Sequence, residues 1–162
     1  MVFGQAVVYG RDPVSEAGMQ FEACTWHWRT LLELILIADH RRGGCLIDDD
    51  TFVGMHYCAG TGLESQEDCD ALAVELQAMI SRPALITEHG LELAEDNGEP
   101  IIYIPASKLG MLMDEQGRLY STARVKEAEI AKLKLISAYF IPVAKVREYI
   151  GFLKACNGFC VR

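Results

Sequence analysis

The 162-residue chain is 51% hydrophobic and 23% charged, with a formal net charge of -8 at pH 7. That balance excludes a disordered chain and predicts one globular domain, residues 1–162, with a substantial buried core. The most apolar run, Leu31 to Ala38, contains Glu33 and is far too short to span a bilayer. With no charged leader ahead of an apolar stretch, the chain reads as soluble, cytoplasmic and free of any membrane association.

Gln5 to Tyr9 is β-branched and aromatic between two glycines, which predicts a short strand. Residues 22–40 follow a helical pattern, apolar nearly all round over 31–37, and end on Arg41, Arg42 and two glycines. Around Asp48, Asp49 and Asp50, the flanking segments 45–48 and 51–54 read either as two short strands of a hairpin or as a loop. Ser65 predicts an N-cap for a helix over 66–80, in which Cys69, Leu72, Ala73, Leu76, Met79 and Ile80 share one face. A short amphipathic segment over 84–95 and a buried or edge strand over 101–104 follow. Residues 122–136 read as a helix. The last helix begins at Pro142, carries Val143, Val146, Ile150 and Leu153 inward, and closes at Asn157-Gly158. The expected fold class is mostly α (α+β): a compact helical domain with a few short β-strands.

Three segments carry a resemblance. They are Trp26-x-Trp28-Arg29; Gly54-x-His56-Tyr57-Cys58-Ala59-Gly60-x-Gly62-Leu63, leading into Ala71-Leu72-Ala73-x-x-Leu76; and Val146-Arg-Glu-Tyr-x-x-Phe152-Leu153-x-x-Cys156-Asn-Gly158-Phe159. Together they resemble a loosely defined set of small uncharacterised bacterial and phage proteins. Members share a tryptophan-rich start, an Asn-Asp-Gly loop before an amphipathic helix, and a terminal helix ending in Gly-Gly-Phe. Here Cys58-Ala59-Gly60 stands for the polar loop and Asn157 for the first terminal glycine. The resemblance covers roughly half the chain and implies a shared fold with no assigned chemistry.

Six cysteines contain no Cys-x-x-Cys pair, which argues for free thiols over a structural zinc site. Asp48, Asp49 and Asp50 with His56 and Cys58 offer metal-ligand types, as do Cys24 and His27, but without a binding spacing; a solvated acidic turn accounts for the aspartates equally well. The glycine loop has neither a phosphate-loop lysine nor a dinucleotide fingerprint, and a tight turn explains it. His56 and Cys58 would point the same way on a strand and form the one candidate reactive pair. Trp26 and Arg29 are residue types that dominate interface hot spots.

Charge is divided unevenly. Residues 1–100 hold 18 acids against 5 Lys or Arg, whereas residues 101–162 hold 5 acids against 10. Either the halves neutralise each other on packing, or the acidic half presents a surface to a partner. The basic run from Arg124 to Lys154 lacks interleaved aromatics, and an acidic molecule repels phosphate, so nucleic acid is not expected. The function expected is a non-catalytic acidic binding protein without a cofactor or metal. Its basic protein partner would contact Asp48, Asp49, Asp50, Glu67, Asp70, Trp26 and Arg29. An inhibitor is the concrete form: a toxin-immunity protein or a phage-encoded antagonist of a basic host protein. The alternative is a small enzyme or a ligand- or metal-binding domain using residues 54–63 with His56 and Cys58. Oligomeric state is left open.

Overall fold

The computed structural model describes residues 4–106 and 110–162. Strand β1 (Gln5–Gly10) alternates buried Ala6 and Val8 with more exposed neighbours, as the sequence predicts for a half-covered strand. It pairs antiparallel with β2 (Gln20–Cys24), where Phe21 and Ala23 point inward. The expected helix start at residue 22 is therefore corrected: Phe21-Glu22-Ala23-Cys24 obeys a two-residue period, and α1 begins only at Thr25 (Thr25–Arg41). On its other edge β1 pairs with β9 (Phe159–Val161), bringing the chain's two ends into one sheet of order β2-β1-β9.

Two more antiparallel sheets complete the strand content. One has the order β3-β4-β8, from Glu92–Asp96, Glu99–Tyr103 and Phe140–Pro142. The other has the order β6-β5-β7, from Leu119–Ser121, Met111–Met113 and Ile136–Ser137. The expectation of a mostly helical domain with a few strands is overturned. The fold is a mixed α+β architecture with nine strands in three sheets among the described residues. These strands are short, and β7, β8 and β9 find their partners far along the chain, so no local pattern announces those three. The helix expected over 122–136 reduces to α5 (Glu127–Lys132), flanked by β6 and β7.

Helix α3 (Gln66–Ser81) holds the centre, packed against α1 on one side and α6 (Val143–Leu153) on the other. Ser65 caps it as predicted, its hydroxyl accepting from the Asp68 N–H at 3.2 Å. Cys69, Leu72, Ala73, Leu76 and Met79 are buried, each large apolar side chain contributing about 1.5–3 kcal/mol by leaving water. Short α4 (Ala84–Thr87) follows and sends Leu85 and Ile86 into the same core. A ring cluster of Phe21, Tyr149, Phe152 and Phe159 joins α6 to the first sheet, with Phe21 and Tyr149 centroids 5.0 Å apart.

The sheet β6-β5-β7 is an outlying layer. Its hairpin turn is held by buried Asp114, which accepts from the N–H groups of Gln116 and Arg118, the Arg118 guanidinium and the Tyr120 hydroxyl. The arginine, those N–H groups and the hydroxyl hold this carboxyl below the usual range, against the opposing effect of its burial. Ser137 ties the layer back by donating to the Ile104 carbonyl at 2.6 Å.

Candidate functional site

The three aspartates are neither hairpin nor loop. They open a helix, α2 (Asp49–His56), which corrects both readings of this stretch. Asp48 is its N-cap and accepts from the Thr51 N–H at 2.7 Å, while Asp49 and Asp50 lie in the first turn, where their charge opposes the positive end of the helix dipole. The Thr51 backbone and side-chain hydrogen bonds hold the Asp48 carboxyl below its ordinary range. Part of the acidic charge thus has a local structural reason.

Inward, α2 buries Gly54 and Met55. A Cβ at Gly54 would lie 2.2 Å from the Thr61 hydroxyl, so the glycine serves a close approach within a helix and not a strand or loop. Outward, the 100° step per residue places His56, Asp49, Val53, Tyr57 and Asp50 within roughly a third of the helix circumference. All five are exposed, with Tyr57 at 72% and Val53 at 51%. An aliphatic and an aromatic side chain four residues apart, flanked by two carboxylates, form a compact amphipathic patch. Sequence reasoning missed Val53 and Tyr57. Their i, i+4 spacing is visible once an Asp N-cap starts a helix at residue 49.

At its far end α2 meets the start of α1. The Trp28 indole is buried and donates to the Met55 carbonyl, whereas Trp26 is half-buried with its ring edge against Tyr139, centroids 4.9 Å apart. The two tryptophans diverge, as their spacing requires. Thr25, Trp28, Arg29, His56 and Tyr139 line a cleft of about 220 Å³, so the structure brings Arg29 and His56 together. Arg29 is engaged there with Glu33, one helical turn on, at 2.8 Å. On the adjacent face of α1, His27 packs edge-on to Phe140, and burial, followed by the Lys145 charge, lowers its pKa.

The His56–Cys58 pair does not form as envisaged. His56 ends a helix, so the strand geometry that would align the two is absent; its ring stacks near Phe52 and meets Tyr57 edge-on. Cys58 adopts a left-handed backbone (φ 55°) and packs against the core. Burial pushes its thiol pKa up, opposite to the shift of an activated nucleophile. Among the described residues no group of three or more His, Cys, Asp or Glu is arranged to hold a metal ion.

Glu67 and Asp70 lie on α3, away from α2. Glu67 is exposed in the first turn of its helix. Asp70 accepts from Gln66 at 2.7 Å and lines a shallow groove with Val74 and Lys154. The seven expected contact residues therefore divide: Asp48, Asp49 and Asp50 lie at the start of α2, Arg29 shares the cleft with His56, Trp26 packs on Tyr139 of that cleft's wall, and Glu67 and Asp70 mark a second acidic helix start.

Among the described residues the charge halves do not cancel by direct pairing. Among the described residues each ion pair joins partners from the same half: Arg29–Glu33 and Arg41–Glu75 in the first, Asp114–Arg118, Glu115–Lys134 and Lys145–Glu148 in the second. Among those residues, too, no helix is long and apolar enough to cross a membrane. Compared with family models, curated proteins and solved structures, the chain matches none.

Proposed function

We propose that this is a non-catalytic, cytoplasmic, acidic binding protein whose partner is a basic protein. An inhibitor such as a toxin-immunity protein or a phage-encoded antagonist of a basic host protein is the form this takes, in keeping with the resemblance to small bacterial and phage proteins. The observation that carries the reading is the outward arc of α2, where Tyr57 and Val53 stand exposed between Asp49 and Asp50. An aromatic anchor supplies contact area, and the carboxylates beside it select a cationic partner and speed its approach. The same-half ion pairing among the described residues supports this, as does the exposure of Asp48, Asp49, Asp50, Glu64, Glu67 and Asp70. The test is capture from the native host lysate with tagged wild type and with the Asp49→Lys/Asp50→Lys/Tyr57→Ala variant. The reading expects a stoichiometric basic partner retained by the first and lost by the second. Equal capture by both, or none by either, overturns it.

The cleft where Arg29 meets His56 favours a second reading, a small-ligand site, in which His56 acts with Arg29 and not with Cys58. Its support is the convergence of a guanidinium, an imidazole and two hydroxyl-bearing side chains around one aromatic wall. Metal analysis and thiol-reactivity profiling separate it from the metal and cysteine versions: one bound equivalent, or a single hyper-reactive Cys58, would restore those.

A further inference from the structure

We propose that Cys69 and Cys156 form a redox-active dithiol that closes to an intramolecular disulfide and locks the C-terminal turn onto α3. The two residues are 87 positions apart, both fully buried, and their sulfurs lie 3.6 Å from each other. The other four cysteines differ: Cys24 and Cys45 are exposed, Cys58 and Cys160 partly so. Van der Waals contact between two thiols leaves a closure of about 1.5 Å to the bonded distance of about 2.05 Å. This inference is independent of the partner-binding reading.

The surroundings distinguish the two sulfurs. Cys156 lies just beyond α6, and the Gly158 backbone N–H of the following turn is directed at the pair. The two thiols share one S–H···S contact, and the Gly158 N–H favours a thiolate at either sulfur while burial opposes it. Cys156, in the segment beyond α6 whose opening admits an oxidant, is the attacking sulfur, and Cys69, fixed within α3, the resolving one. With hydrogen peroxide as oxidant, the Cys156 thiolate attacks one oxygen and breaks the O–O bond. This gives a sulfenic acid and a hydroxide that takes up a proton to leave as water. The Cys69 sulfur then attacks the Cys156 sulfur, loses its proton and displaces the second oxygen as water. Two thiols are oxidised and one peroxide is reduced to two waters.

Access requires opening of the short segment after Leu153. That opening is infrequent, because many links hold the segment: the N–H groups of Arg11, Asp12 and Val14 donate to the carbonyls of Gly158, Cys156 and Ala155, the Asn157 N–H to the Gln66 side-chain oxygen at 2.8 Å, and the Phe159 N–H to the Leu63 carbonyl at 2.7 Å. Closure of the dithiol is accordingly slower than oxidation of Cys24 and Cys45. Once formed, the bond spans a long loop and restricts the unfolded chain.

The experiment blocks exposed thiols of the folded wild-type chain with iodoacetamide, adds hydrogen peroxide, and maps peptides without reduction. The expected result is a peptide pair joined through Cys69 and Cys156, with the monomer two hydrogens lighter. A Tm rise of roughly 5–15 °C, reversed by dithiothreitol, should accompany it. The Cys69→Ala chain treated in parallel shows neither. Overturning results are thiols that still titrate in denaturant after peroxide, conversion to sulfinic or sulfonic acid without linkage, or bonds between two chains.

Discussion

The Trp28 indole N–H donates to the Met55 carbonyl oxygen at 3.1 Å. A buried side chain of α1 thereby satisfies a carbonyl in the last turn of α2, where helical partners run out. The link fixes the rotation of α2 and, with it, which of its residues face water. Trp28→Phe leaves that carbonyl without its donor and lowers unfolding free energy by about 2 kcal/mol. Urea unfolding reads this as a shifted midpoint at constant slope.

Gly60 and Gly62 have different reasons to be glycine. Gly60 has a left-handed backbone (φ 87°) in open space, whereas a Cβ at Gly62 would lie 2.1 Å from the Phe159 carbonyl oxygen. Gly60→Ala costs about 1–2 kcal/mol from backbone conformation alone. Gly62→Ala must push β9 away and costs about 3 kcal/mol, at the upper end of overpacking effects. Thermal unfolding of both variants orders them.

Asp48 stabilises α2 through its ionised carboxylate. Because its folded-state pKa lies below the ordinary value, that stabilisation is complete above about pH 4 and is lost as pH falls through the lowered value. Asp48→Ala lowers the Tm at pH 7, Asp48→Asn largely retains it, and the gap between wild type and Asp48→Ala narrows at pH 3. Melting curves at the two pH values check this.

His27 also loses stability as pH falls, but because its neutral form is the one that the fold favours. Its folded-state pKa is depressed, first by burial and then by Lys145. As pH drops below about 6.5, the unfolded chain takes up a proton that the folded chain refuses. Stability therefore declines until pH passes the folded-state value. His27→Gln flattens that decline, measured as urea midpoints at pH 7.5 and pH 5.

How far the fold can be read in advance depends on how local each signal is. The α3 helix follows from Ser65 and the spacing of Cys69, Leu72 and Leu76, all within a few turns of one another. The pairing of Val8 with Val161 has no such signature, because a three-residue strand is specified only by the partner it meets. Most of the acidic surface was legible from composition, and Asp48 to Asp50 lie at its centre. The helix beneath them was obscured by Gly54, Gly60 and Gly62, whose density suggested a loop. Gly54 and Gly62 instead answer to Thr61 and Phe159, contacts that sequence spacing does not reveal.

The proposed role rests on the α2 arc receiving a basic partner. Its most direct measurement is the affinity of the captured partner for wild type, for the Asp49→Lys/Asp50→Lys variant and for the Glu67→Lys/Asp70→Lys variant, each at low and high salt. Reversal on α2 is expected to weaken binding at least 100-fold at low salt, about 2.7 kcal/mol, with a reduced salt dependence, while reversal on α3 changes it several-fold at most. Equal losses at the two helices, or none at α2, would contradict the assignment.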